Sequence, residues 1–226
     1  MLGRVEELTY LNELYESSKF EFLVMYGRRR VGKTTLLQEF SKNTNTIFFP
    51  AREKNDALNL EDFSKTIQLH FNKQFISSFK SWEDAFSYIG NKIQDRTALV
   101  IDEFPYIIEE NPSVKSLLQH AIDHSWKNEN IFLILCGSSV SVMENEIMGR
   151  KSPLHDRQTA TLEITPFDYL ESSNFFPNYS NEDKLIAYGI LGGIPRYLEA
   201  FDANKSIEEN ITSKIIRNGA YLHEEP

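Results

Sequence analysis

The chain has one cysteine in 226 residues, Cys136, set in the apolar run "IFLILC". One cysteine builds no internal disulfide framework, and in such a run it reads as a small core residue, so a reducing compartment is expected. Long apolar runs are missing as well: none approaches the ~20 residues a bilayer crossing needs. Met1 leads straight into "LGRVEELTYL", with neither a basic start nor an apolar segment of the kind that directs secretion. The expected location is the cytoplasm, with no membrane partner. Positive charge is also scarce. Lys and Arg number 24 against 33 Asp and Glu, a net charge of −9. That balance speaks against a surface that coats nucleic acid, which must neutralise many phosphates; nucleic acid is not supported as a partner of this segment. There is no internal repeat and no low-complexity stretch.

What is present is an alternation of two hydrophobic periods. Helical spacing appears in "VEELTYLNELYESS", from Gly32 to Phe40, and in "NLEDFSKTIQLHF", "SWEDAFSYIGNKI" and "SVKSLLQHAIDHSW". Between these lie short β-rich runs, which predict strands at about 20–27, 45–49, 97–103, 131–138 and 160–166, with Pro50 stopping the second. Strands alternating with helices imply a parallel sheet covered on both faces. After Phe167 the pattern is helical only, in "EDKLIAYGIL", "PRYLEAF" and "SIEENITSKIIRNGAYL". The reading is a core over residues 1–174 and a helical lid over 175–226. The last residues, "HEEP", follow a helix directly, as expected of a domain cut from a longer protein ahead of further C-terminal domains.

Three consecutive arginines, Arg28, Arg29 and Arg30, stand in "GRRRVGKT". This segment matches G-x-x-x-x-G-K-[ST] through Gly27, Gly32, Lys33 and Thr34, with a predicted strand before it and a helix after. The glycines let backbone N–H groups point inward at phosphate, Lys33 reaches the terminal phosphates, the Thr34 hydroxyl ligates Mg²⁺, and the helix N-terminus faces the anion. Gly27, Arg28, Arg29, Arg30, Val31, Gly32, Lys33, Thr34 and Thr35 are the candidate nucleotide-binding loop. Side chains at the x positions usually point away from phosphates that the backbone holds. The arginines therefore read as a solvated patch beside a polyanion, the alternative being direct contact with nucleotide or with a partner's acids.

"ALVIDEF" ends a buried strand on two acids. Asp102 can hold Mg²⁺ through water, and Glu103 can polarise a water for attack on a γ-phosphate; the plainer reading is a helix cap. "LILCGSS" ends another strand in Ser138 and Ser139, either of which can orient that water, sense the γ-phosphate or cap the next helix. A guanine-nucleotide reading fails: "NKQF", "NKIQ" and "NKSI" all lack the Asp of a base-reading motif, and no Gly follows Asp102 where a switch would want one. His120 and His124 stand four apart on a helix, a zinc-compatible spacing, but no third ligand is adjacent. Trp82 and Trp126 fit helix faces and read as packing residues.

The segments "LGRVEELTYLNEL", "YGRRRVGKTTLL", "LVIDEFPYI", "LILCGSSVSVM", "GRKSPLHDRQTATLEITPFDY" and "LGGIPRYL" together resemble the archaeal-type ATPase domain. That family belongs to the STAND class of signal-transduction ATPases, related to AAA+ proteins, and the resemblance runs from Leu2 to about Tyr221. It implies a P-loop NTPase αβα sandwich with a five-stranded, mainly parallel sheet of AAA+/ASCE type, followed by a helical lid subdomain. It implies ATP and Mg as cofactors. Gly3, Arg4 and Glu7 match a box near the nucleotide, with Val5 in place of an acid. Gly193 and Pro195 match a lid motif whose proline packs on the base, although the same letters also read as a helix stop and restart. "SPLHDR" is similar to a family segment that ends in arginine, which makes Arg157 a candidate γ-phosphate group, expected on the C-terminal side of the sheet. His155 and Asp156 depart from that segment's usual residues.

The expectation is thus a slow ATPase with Glu103, Lys33, Ser138 and Arg157 as catalytic candidates, Gly3, Arg4 and Pro195 near the nucleotide, and Thr34 and Asp102 on Mg. It couples nucleotide state to a conformational or signalling change in a downstream domain or protein partner. The alternatives are a non-catalytic nucleotide-dependent switch or scaffold, and a DNA-associated ATPase acting through a further domain.

Overall fold

The computed structural model describes residues 3–72, 74 and 77–224. The chain divides into two compact units, a larger one of Val5–Arg28 and Lys33–Glu163, and a smaller one of Met1–Arg4, Arg29–Gly32 and Ile164–Pro226. The sequence drew its line at 174/175. The structural division falls eleven residues earlier and, in addition, places the apex of the glycine-flanked loop in the smaller unit.

The larger unit is built on five parallel strands, β1 (Glu21–Tyr26), β2 (Thr46–Pro50), β3 (Thr97–Asp102), β4 (Ile131–Gly137) and β5 (Ala160–Glu163), in the order β2-β3-β4-β1-β5. β3 and β4 are buried along their whole length, as expected of central parallel strands read as continuous apolar runs. Because side chains alternate across a strand, the register builds two lines on one face: Ile47, Leu99, Leu133 and Phe22, then Phe49, Ile101, Leu135 and Val24. Both lines join one core with residues of α3 (Asp56–His70), α4 (Trp82–Lys92), α5 (Pro105–Glu110) and α6 (Val114–His124). On the other face, α1 (Val5–Glu16) and α2 (Lys33–Ser41) bring Tyr15 and Phe40 edge-on to each other, and Phe40 edge-on to Phe132 of β4. The result is three layers, α, β and α. Trp82 and Trp126 are buried, their indole N–H groups donating to Asp56 Oδ1 and the Phe86 carbonyl.

Direction is what matters for function. All five strands point the same way, so the residues that follow them, Gly27, Ala51, Glu103, Ser138 and Ile164, share one edge of the sheet. β4 is inserted between β1 and β3, which separates the strand of the loop from the strand of the two acids.

The smaller unit has its own apolar core of Phe167, Phe176, Ala187, Leu191, Leu198, Phe201, Ile207 and Leu222. Around it lie the helices α8 (Tyr169–Ser173), α9 (Asn181–Leu191), α10 (Pro195–Leu198) and α11 (Ile207–Ile211); the short α7 (Val140–Val142) belongs to the larger unit. α9 stops at Gly192 in the left-handed conformation and α10 restarts with Pro195 at its first position, the stop and restart that the sequence predicted. Gly193 has φ +71°, and a Cβ there would lie 2.0 Å from the Phe167 carbonyl oxygen, so no other residue fits. β5 ends at Glu163 rather than near 166: the Thr165 carbonyl is taken by the Arg4 guanidinium, and Pro166 has no N–H to give a ladder.

Candidate functional site

The C-terminal edge of the larger unit's sheet gathers Lys33, Thr34, Asp102, Glu103 and Ser138. Lys33 is buried at the start of α2, and its Nζ donates to the Gly27 carbonyl at 2.7 Å and the Arg28 carbonyl at 2.9 Å. The ammonium thus bridges the beginning of the loop back to its own helix. One residue on, Thr34 Oγ1 donates to Asp102 Oδ2 at 2.7 Å. A hydroxyl and a carboxylate a hydrogen bond apart are hard oxygen donors of the type that suits Mg²⁺, and Asp102 is 97% shielded from solvent, its relative exposure being 3%.

Glu103 is held differently from its neighbour. Its φ is +54°, a left-handed conformation that costs a non-glycine residue of order 1 kcal/mol or more and is found where function requires it. Four hydrogen bonds hold the turn: Glu103 N–H donates to Asp102 Oδ1, Phe104 N–H donates to the Cys136 carbonyl, and Ser138 donates twice to the Glu103 side chain. The Ser138 N–H donates to Glu103 Oε2 at 3.1 Å, and the Ser138 hydroxyl donates to Oε1. Of the two serines, then, Ser138 meets the acid. Ser139 stands at the N-cap of α7 without a side-chain cap bond, so the capping role weighed for this pair is not seen.

Cys136 joins this group, which composition alone did not show. Burial first, and then the carboxylate of Asp102, push its thiol well above the ordinary range. It stays a neutral S–H beside Asp102 instead of a reactive thiolate. The signal was available in retrospect: Cys136 sits one strand over from Asp102 and one residue before the end of β4.

The expected place of Arg157 is corrected by the structure. It precedes β5, and Thr159 N–H donates to the Phe22 carbonyl at the start of β1. Arg157 therefore lies at the N-terminal edge, the length of β1 away from the loop, about 17 Å at 3.3 Å per residue. Its Nε and Nη2 donate to Asp123 Oδ2 at 3.1 and 2.8 Å. Asp123 also pairs with Lys127, and the Arg157 hydrogen bond, more than any other cause, draws the Asp123 carboxyl down to about 2. His120 and His124 lie with ring centroids 4.4 Å apart and ring planes tilted by 46°, and no cluster of three metal-binding side chains occurs among the described residues.

In the smaller unit, the remaining candidates meet one another. Arg4 is buried with φ +64°; its guanidinium donates to the Val31 carbonyl at 3.1 Å and to the Thr165 carbonyl, and lies 4.3 Å from the Phe167 ring centroid. Gly3 packs so tightly on Phe167 that a Cβ would come within 2.5 Å of the ring. Pro195 lies over Gly32, its Cγ 4.0 Å from where a Cβ would be. Glu7, in α1, belongs to the larger unit.

A family described as an ATPase domain predominantly from Archaea matches residues 1–201, most of the chain. The chain belongs to this archaeal ATPase domain family. An uncharacterized protein of Methanocaldococcus jannaschii is 38% identical to the domain over 200 residues, 88% of this chain and 43% of its own length. The chain thus spans less than half of that relative. An uncharacterized ATP-binding protein of the same organism is 43% identical over 42 residues, 19% of this chain and 71% of its own. Among solved structures, the domain is similar to a Walker-type ATPase of Pyrococcus abyssi, with a TM-score of 0.70, 22% identity, and 94% and 72% of the two chains covered. It is also similar to the ORC2 protein of Aeropyrum pernix in its ADPNP–ADP complexes, with a TM-score of 0.61, 15% identity, and 88% and 61% covered. These last two likenesses are of fold. They agree with the strand order on the fold, an αβα sandwich around a five-stranded parallel sheet.

Proposed function

We propose that this archaeal ATPase domain is a slow, Mg-dependent ATPase of the STAND type that converts nucleotide state into a conformational signal. The observation that carries the reading is the division of labour between two adjacent acids. Asp102 faces the Thr34 hydroxyl, while Glu103, turned by its positive φ, faces Ser138. In the proposed reaction, the loop amides and Lys33 hold the phosphates of ATP, and the Lys33 ammonium exchanges its carbonyl partners for phosphate oxygens. Thr34 and Asp102 hold Mg²⁺, which when bound neutralises charge on the phosphate oxygens. Glu103 takes the proton of the attacking water, and Ser138 orients the carboxylate that receives it. Pro195, placed over Gly32, and Arg4, bonded to the Val31 carbonyl, give the smaller unit a hold on the loop. A downstream domain or protein partner receives the resulting change.

One observation favours a second reading, a nucleotide-dependent switch without turnover. Both oxygens of Glu103 accept hydrogen bonds from Ser138, an arrangement that also withholds the base. Single-turnover hydrolysis of radiolabelled ATP by stoichiometric protein separates the two. Phosphate released within minutes, and lost in Glu103→Gln, supports the ATPase. Bound ATP recovered intact, with wild type and variant alike, leaves the switch.

A further inference from the structure

Arg30 answers the question posed by the three arginines in an acidic chain. Its φ is +71°, so the backbone turns at a residue that pays for its Cβ there. Its side chain does not end in solvent alone. Nη1 donates to the Tyr197 hydroxyl at 3.3 Å, and the guanidinium carbon lies 5.7 Å from the Tyr197 ring centroid and 6.0 Å from that of Tyr221. Arg196 lies 5.4 Å from the same Tyr221 ring. Two guanidiniums therefore share one aromatic ring, which offsets the repulsion that brings like charges apart elsewhere. The neighbours along the chain are held as well, Val31 through its carbonyl to Arg4 and Gly32 beneath Pro195. Three successive residues of the loop apex thus meet the smaller unit, Arg30 and Gly32 at α10 and Val31 at Arg4 of the N-terminal segment.

We propose that Arg30 is a positioning residue for nucleotide: the clamp of Tyr197 and Tyr221 on its guanidinium holds the loop apex in the left-handed turn that aims backbone N–H groups at phosphate. The inference rests on the proposed nucleotide-binding function and deepens it. A loop fixed beforehand spends less of its binding energy on ordering, so the clamp acts on affinity and leaves the chemical step alone. It also makes α10 and its flanking Tyr221 the first elements to register a change in the loop.

The test uses four variants of the whole chain: Arg30→Ala, Arg30→Gly, Tyr221→Leu, and Arg30→Gly with Tyr221→Leu. Arg30→Gly removes the strain of the positive φ together with the side chain, so it separates backbone from clamp. Calorimetric titration with ADP is expected to show affinity reduced about tenfold in Arg30→Gly and in Tyr221→Leu, with the double variant no weaker than either single one. In the ligand-free protein, hydrogen exchange of the amides in 195–222 rises in all four. Wild-type affinity in Arg30→Gly, additive losses in the double variant, or unchanged exchange in 195–222 overturns the proposal. If wild-type protein binds no nucleotide, the functional reading fails by itself, while the exchange measurement still decides whether the clamp exists.

Discussion

Glu103 and Ser138 are joined twice, the serine giving its N–H to one carboxylate oxygen and its hydroxyl to the other. Residues 35 apart in sequence become neighbours because β3 and β4 pair in parallel and end on the same edge. The pairing orients the acid at a turn that its own backbone resists.

Replacing the acid tests its role. In Glu103→Gln the shape is kept and the base is lost, so ATP affinity is expected to stay at the wild-type value while turnover falls by ~10²–10⁴. Calorimetry and a phosphate-release assay read the two quantities. Equal loss of both assigns Glu103 to binding.

The serine is expected to act through the glutamate. Ser138→Ala removes the hydroxyl bond and leaves the N–H bond, so turnover falls about tenfold, the worth of one hydrogen bond to a charged group. In the Glu103→Gln background the same change adds nothing further. A full additional loss there gives Ser138 a separate contact with the substrate.

Lys33→Ala is expected to weaken ATP binding about a hundredfold, the loss of two charge-assisted hydrogen bonds. The far-UV circular dichroism stays native, since the side chain holds loop carbonyls and fills no part of the apolar core. Wild-type affinity in this variant removes the phosphate-loop assignment.

Arg157→Ala is a stability change in this account. Its pair with Asp123 is about three-quarters buried, and its loss is expected to cost about 1 kcal/mol, or roughly 2–4 °C in melting temperature. The sign with pH follows from Asp123. Its folded value of about 2 lies below the ordinary 3.8, so the stabilisation is present above pH 3.8 and is lost as pH falls through about 2. Asp123→Asn is expected to flatten that acid limb in a melting series. ATP affinity and turnover of folded Arg157→Ala protein stay at wild-type values. A loss of turnover that is restored by mixing with Glu103→Gln protein gives the arginine to a neighbouring subunit's site.

Cys136 is expected to resist iodoacetamide at pH 8 in the native protein and to react once the chain is unfolded. Burial and Asp102 keep the thiol protonated, and the thiolate is the reactive form. Mass spectrometry of native and urea-treated samples reads the difference; fast native labelling places Cys136 outside the core.

Several of these relationships were legible along the chain and others were not. The two hydrophobic periods located all five strands, with ends within about two residues except at β5, because side-chain burial on a pleated strand or a helix face is a local pattern. The spacing of Gly27, Gly32, Lys33 and Thr34 is equally local, since the loop and helix that it serves are contiguous. Arg157 was misplaced although its signal was present: a residue just before a parallel strand lies at that strand's N-terminal edge. Strand order, the shared edge of Glu103 and Ser138, the Thr34 bond to Asp102 and the tyrosines around Arg30 depended on pairings 35 to 191 positions apart, and tertiary structure alone decided them. Periodicity tells which face of an element is buried, but which elements meet is set by packing, which no window of sequence contains.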